Sequence, residues 1–266
     1  MPPGAKGNML EAGVVMEEMQ VVILAGGLAT RMRPRTLITP KLLLPVAGRP
    51  FGAWLLERLA AAGYRQAVLC IAYLGEHIRE VIGDGRAFGI DVVYADEGPT
   101  LLGTAGAIRK AAGMLAPQFL VTYGDSYLPF DYAGPLHLLA SSPDADGVMA
   151  VFKNEGRWDK SNTVVRIDEK GGAWVERYEK NSADPRFDHI DYGATALRRE
   201  VILDVPEGAP YGLDRIQADL SARKRLRAYP AHARFFEIGS ETGLDELDQE
   251  LKAHPPGSPS PPKVQP

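Results

Sequence analysis

Residues 21–50 read VVILAGGLATRMRPRTLITPKLLLPVAGRP, and the reading of this stretch decides the fold. It opens with the apolar run Val21 to Ala25, which fits a buried parallel strand. The pair Gly26 and Gly27 follows, then Thr30, Arg31 and Arg33 within one loop. Glycines there let backbone N–H groups come close to a polyanion. Arginines add charge-assisted bonds to phosphate oxygens. Lys41 follows, between Pro40 and the apolar Leu42-Leu43-Leu44. Strand, glycine loop, arginine and lysine together point to a site for a nucleoside triphosphate.

Outward from this stretch, strand and helix signals alternate, which predicts an α/β fold with a mostly parallel sheet. Helical spacing runs from Phe51 to Ala62 and ends at Gly63. Strands are expected at 66–73, 90–95, 119–122 and 147–153, with helices at 75–82, 104–115 and 131–140. The second half is richer in β structure. Residues 163–167 and 174–179 are expected to pair across the turn Glu169-Lys170-Gly171-Gly172. Further strands fall at 190–197, 225–231 and 234–238, and a helix at 213–222. Ser240 is the expected N-cap of a last helix carrying Leu244, Leu247 and Leu251.

The chain has 266 residues, 45% of them hydrophobic, enough for one large core or for a domain with an appendage. Residues 1–19 read as an irregular extension, 20–252 as the domain and 253–266 as a disordered proline-rich tail. The net charge of −4 does not supply the basic patch that nucleic-acid binding calls for. No apolar run approaches the roughly 20 residues of a membrane helix, and the N-terminus lacks a signal-peptide pattern. The single cysteine, Cys70, lies in an apolar run and reads as a buried structural thiol, which agrees with a cytoplasmic setting. The five histidines are scattered without i,i+4 pairing, so a histidine metal site is not expected.

Two familiar nucleotide signatures are absent. There is no G-x-x-x-x-G-K-[ST] and no G-x-G-x-x-G. What stands instead is LAGGLATRMRP followed by PKLLLPVAGRP. This pair resembles the signature of the sugar-1-phosphate nucleotidylyltransferases, L-A-G-G-x-G-T-R-L-x-P with P-K-x-x-x-P-V. Ala29 replaces the last loop glycine, which leaves room for phosphate if its φ is negative. The resemblance covers roughly residues 20–252. It implies a Rossmann-like three-layer sandwich with a mixed, mainly parallel sheet, the glycosyltransferase-A-like nucleotidyltransferase fold. No hexapeptide repeats are present, so no C-terminal β-helix is expected.

The resemblance also assigns roles. Leu24, Ala25, Gly26, Gly27, Thr30 and Gly124 would contact the nucleotide, with Gly103 and Thr104 of the L-G-T-A segment beside its base. Arg31 would face the departing pyrophosphate, and Lys41 and Lys180 the attacking phosphate. Asp125 matches the family's G-D metal ligand. Glu237 stands where the second metal-binding aspartate is usual. Mg²⁺ is the expected cofactor, since it prefers few carboxylates plus phosphate and water oxygens. Glu179, Asp191, Gly193 and Asn162 fall on the sugar side. There Asp191 replaces a usual asparagine, exchanging amide donors for acceptors. The implied partners are an NTP and a sugar 1-phosphate, with no nucleic acid or membrane partner; a homodimer stays open. Among compact relatives the heptose-1-phosphate guanylyltransferases and N-acetylmuramate-1-phosphate uridylyltransferases are similar, and the guanylyl branch is favoured. Alternatives are a phosphocholine cytidylyltransferase and a non-catalytic nucleotide-sugar-binding regulatory subunit.

Overall fold

The computed structural model of the chain describes residues 19–154, 156–180, 182 and 184–254. The expected extension, up to residue 18, and the tail from 255 lie outside the described residues. Met19, placed with the extension by sequence, is buried in the core.

The elements in chain order are β1 (Gln20–Leu24), β2 (Pro45–Val46), β3 (Arg49–Pro50), α1 (Phe51–Ala61), β4 (Gln66–Ile71) and α2 (Gly75–Ile82). Next come β5 (Asp91–Asp96), α3 (Gly103–Lys110), β6 (Gln118–Tyr123), β7 (Ser126–Tyr127), α4 (Gly134–Ala140) and β8 (Gly147–Lys153). The second half holds β9 (Thr163–Ile167), β10 (Ala173–Tyr178), β11 (His189–Arg198), α5 (Arg199–Leu203), α6 (Leu213–Ala222), β12 (Leu226–Ala231), β13 (Phe236–Glu237) and α7 (Glu241–Ala253).

Nine strands form one sheet in the order β5-β4-β1-β6-β11-β8-β12-β10-β9. β5, β4, β1 and β6 pair in parallel, β11 is antiparallel to both β6 and β8, and β8 and β12 are again parallel. All strands but β11 and β10 therefore run the same way. Side chains alternate across the sheet. Val21 and Ile23 enter a core with α1, α4 and α7, while Val22 enters a second core with α3 and α6. Two buried faces explain why β1, β4 and β6 read as unbroken apolar runs.

Several boundaries differ from expectation. The helix expected to reach residue 115 ends at Lys110 and gives way to a 3-10 turn over Ala112–Met114. The helix expected from residue 131 begins at Gly134. Of 234–238, only Phe236–Glu237 is strand. The short α5 was not foreseen; its five residues are too few for a periodic signal. Across 163–178 the expected antiparallel pair forms, with a register shift between Val175 and Arg177. Ser240 caps α7 as expected, its hydroxyl oxygen accepting from Gly243 N at 3.1 Å. Cys70 is buried, and burial pushes its thiol up to about 12. Among the described residues, no helix is long and apolar enough to cross a membrane.

Candidate active site

Two adjoining cavities open beyond the carboxyl ends of β1 and β6, where ligands sit in open α/β sheets. The smaller, about 230 Å³, is lined by Leu24, Ala25, Gly26, Gly27 and Lys41, by Gly103 and Thr104, and by Gly124 and Asp125. The larger, about 490 Å³, takes in Arg31, Asp125, Asn162, Lys180, Asp191, Gly193 and Glu237. Thr104, Tyr123 and Asp125 belong to both walls.

The smaller cavity is built largely from backbone. Ala25 N donates to Cys70 O at 2.9 Å and Gly124 N to Leu24 O at 2.9 Å, which ties the ends of β1, β4 and β6 together. At Gly26 a Cβ would stand 2.3 Å from Glu97 Oε1, so the loop passes directly beside that carboxylate. Gly103 adopts φ +69, and a Cβ there would lie 2.9 Å from Tyr211 O. That same carbonyl accepts from Ala105 N at 2.9 Å and Gly106 N at 3.1 Å, satisfying orphan donors at the start of α3. In return, Leu213 N at the start of α6 donates to Thr104 Oγ1 at 2.6 Å. The two helix starts therefore hold each other, and Thr104 is committed to the fold as well as lining the cavities.

Ala29 departs from expectation. Its φ is +50, in the left-handed region where the family's glycine is free and alanine is not. For an L-residue this conformation costs about 1–2 kcal/mol. Its carbonyl accepts from Thr36 Oγ1 at 2.7 Å and from Met32 N at 3.1 Å, which holds the turn.

Charge gathers where the cavities meet. Lys41 Nζ donates to Asp125 Oδ2 at 2.7 Å. β7 and β13 pair so that Glu237 lies opposite Ser126, and Ile238 N donates to Asp125 O at 2.9 Å. Asp125, in the turn just before β7, and Glu237, on β13, are thus brought near each other although far apart in sequence. Desolvation raises the Glu237 carboxyl above its usual range; the charges of Asp125 and Asp159 add to this, and Arg31 and Lys41 oppose it. Gly239 makes room for these cations: a Cβ there would be 3.3 Å from Arg31 Nη2 and 3.6 Å from Lys41 Nζ.

On the far side of the larger cavity, Asp191 Oδ1 accepts from Gly193 N at 3.0 Å and Oδ2 from Gln217 Nε2 at 2.8 Å. Its own N–H donates to Asn162 Oδ1 at 2.8 Å. Burial raises the Asp191 carboxyl, while these bonds and Lys180 pull it back. Two residues expected at the site line neither cavity. Glu179 points to the surface and accepts from Arg177 Nη2 at 3.2 Å. Thr30 is exposed and begins a 3-10 turn over Thr30–Met32. Conversely, Glu97, Tyr123, Asp159, Lys160, Tyr178 and Asp214 line the cavities without having been singled out. For Glu97 a signal existed: it directly follows β5, at the edge of the sheet where Asp125 closely follows β6. Its Oε2 accepts from Leu102 N at 3.0 Å, and burial raises its carboxyl.

Asp125 and Glu237 are the carboxylates that could hold a metal here. The two carboxylates stand close enough for each other's charge to matter, and a cationic Lys41 already rests on one of them. Among the described residues no group of three or more His, Cys, Asp or Glu is arranged for a metal. Such a site suits a cation that completes its shell with phosphate and water oxygens.

An open, mainly parallel α/β sheet with a glycine loop and two cavities beyond its strand ends defines a structural class. Within that class the chain belongs to the nucleotidyl transferase family, whose pattern matches residues 20–233. It is 42% identical over 127 residues to N-acetylmuramate alpha-1-phosphate uridylyltransferase of Neisseria meningitidis, covering 47% of this chain and 55% of that protein. It is 33% identical over 199 residues to mannose-1-phosphate guanylyltransferase of Mycobacterium tuberculosis, covering 74% of this chain and 54% of the relative. The chain thus spans about half the length of these curated relatives. Among solved structures, HddC from Yersinia pseudotuberculosis superposes with a TM-score of 0.67 at 24% identity, covering 88% of this chain and 99% of that one. The fold expected from sequence is therefore the fold found.

Proposed function

We propose that the chain transfers a nucleoside monophosphate from a nucleoside triphosphate to a sugar 1-phosphate, giving an NDP-sugar and pyrophosphate. One observation carries this reading: Asp125, with Lys41 on its carboxylate, stands in the wall shared by a glycine-lined cavity and a larger polar one. Two ligands lying in these cavities would meet at that wall. The similarity to uridylyl- and guanylyltransferases of sugar 1-phosphates supports the same pair of substrates.

In this reading an oxygen of the sugar phosphate attacks the α-phosphorus. The bond from that phosphorus to the bridging oxygen breaks, and pyrophosphate leaves with the electron pair. Such a step needs positioning and charge neutralisation more than covalent help from the protein. Arg31 and Lys41, gathered beside Gly239 where the cavities meet, neutralise the departing pyrophosphate and the attacking phosphate respectively, and Lys180 holds the attacking phosphate from within the larger cavity. Asp125 and Glu237 would hold Mg²⁺, which when bound supplies further neutralisation of phosphate charge.

Glu97 favours the guanylyl assignment. A carboxylate is an acceptor only, and guanine offers adjacent N–H donors on its pairing edge, whereas uracil flanks one donor with two carbonyls. Glu97 Oε1 lies beside Gly26 in the smaller cavity, which Gly103 and Thr104 of the L-G-T-A segment also line.

The test is pyrophosphate release from GTP, UTP, CTP or ATP with mannose, glucose, heptose and N-acetylmuramate 1-phosphates and with phosphocholine. Release requiring GTP and one sugar phosphate, and abolished by EDTA, is the expected result. Tight nucleotide binding without release under every pairing would replace the enzyme by a nucleotide-sugar-binding subunit.

A further inference from the structure

Residues 156–161 join β8 to β9 and bring Asp159 and Lys160 to the larger cavity, beside Lys180 and Glu237. Neither residue has a part in the chemistry above. What places them is Asn154, just past the end of β8, which is 0% exposed. Its Nδ2 donates to Asp159 O and, at 3.1 Å, to Ser161 Oγ. Its Oδ1 accepts from Trp158 N at 3.1 Å, and its carbonyl accepts from Arg157 N at 3.0 Å. One buried amide thus holds the segment at three points along its length. A second anchor lies outside. Trp158 packs against the Arg234 guanidinium, 4.1 Å from ring centroid to Cζ, and the same guanidinium lies 5.1 Å from the ring of Phe236, the neighbour of Glu237. The segment is therefore braced both to β8 and to the strand that carries a carboxylate of the site.

We infer that residues 156–161 form the wall that recognises the acceptor, with Lys160 and Asp159 touching it, and that Asn154 is the positioning residue that holds this wall. The inference rests on reading the larger cavity as the sugar-phosphate side. Lys160 and Lys180 present two cations in one cavity, which suits the dianionic phosphate of a sugar 1-phosphate. The Asp159 carboxylate accepts from Lys160 N at 2.6 Å through Oδ1, leaving acceptor capacity for sugar hydroxyls. The smaller cavity receives nothing from this segment, so its effect falls on the acceptor and not on the NTP.

Lys160→Ala and Asn154→Ala are assayed by pyrophosphate release with GTP or UTP and the sugar 1-phosphate that the wild type accepts. Each variant should raise KM for the sugar phosphate tenfold or more and leave KM for the NTP within twofold. Lys160 is exposed, so its variant remains informative even if Asn154→Ala proves insoluble. An equal rise in both KM values for Asn154→Ala, with Lys160→Ala unchanged, would overturn the inference. A second readout stands apart from turnover. Titrating mannose, glucose or N-acetylmuramate 1-phosphate should change tryptophan emission in the wild type and not in Trp158→Phe, whereas GTP should act alike on both. If the wild type releases no pyrophosphate with any pair yet this signal is present, the transferase reading falls and the wall stands. With no response to any sugar phosphate, the wall falls.

Discussion

The two cavities are made in different ways. The smaller one is drawn mostly from three short stretches rich in glycine and alanine, 24–29, 103–107 and 123–125, joined by Lys41, Leu42, Glu97 and Leu101. The larger one is assembled from charged and aromatic side chains on β10, β11, α6, the 156–162 segment and β13, which the chain brings together from more than a hundred residues. A triphosphate presents the same anionic groups whatever its base, so glycine and helix starts suffice to hold it. A sugar is recognised by hydroxyls in particular directions, and only fixed side-chain donors and acceptors can read them. The nucleotide side keeps its family's pattern but for Ala29, and the departures at Asp191 and Glu237 fall on the other.

If that contrast is right, the shared wall should matter most. Asp125→Asn should lower kcat of pyrophosphate release by about 10²–10³-fold, the scale of losing one principal charge-stabilising group. Near-UV circular dichroism should be unchanged, and near-normal turnover would remove Asp125 from the chemistry. Next in size, Lys180→Ala should raise KM for the sugar phosphate by ~10–100-fold, the equivalent of about 1.5–3 kcal/mol for a charged hydrogen bond. KM for the NTP should not move; a matching rise there would erase the division between the cavities.

On the nucleotide side the sensitivity lies in the backbone. Gly103→Ala forces a Cβ at φ +69 against Tyr211 O and should cost about 1–3 kcal/mol, read as a fall of several degrees in Tm. An unchanged Tm would mean that the clamp between the starts of α3 and α6 yields easily. The smallest effect expected is at Glu97. Glu97→Gln adds an amide donor where only acceptors stood, and should lower the ratio of kcat/KM for GTP over UTP by about tenfold. No change in that ratio would move base selection to another residue.

Much of this was legible before any coordinates. The opening strand, its glycine loop and Lys41 are close in the chain, and short spacings translate directly into shared space. Asp125 was legible because it follows a strand, and strands of one parallel sheet deliver their carboxyl ends to one edge. Glu97 obeyed the same rule and was passed over because no motif surrounded it. Glu179 was expected in the site on the strength of a two-residue match, but successive residues at a strand end face opposite ways, and Lys180 took the cavity while Glu179 took the surface.

By itself, then, the amino-acid sequence determined the α/β alternation, the apolar strands, the glycine loop after the first of them and the family. These depend on periodicity and on residues a few positions apart. Only the tertiary structure decided the register that sets Glu237 opposite Ser126, that Asn154 would hold Asp159 and Lys160 over the cavity, and that Ala29 would occupy a left-handed turn. Each of those depends on strand register, on a buried amide meeting distant partners, or on a loop's closure against its neighbours. Such facts have no local signature, because their energy comes from groups that become neighbours only when the sheet has formed.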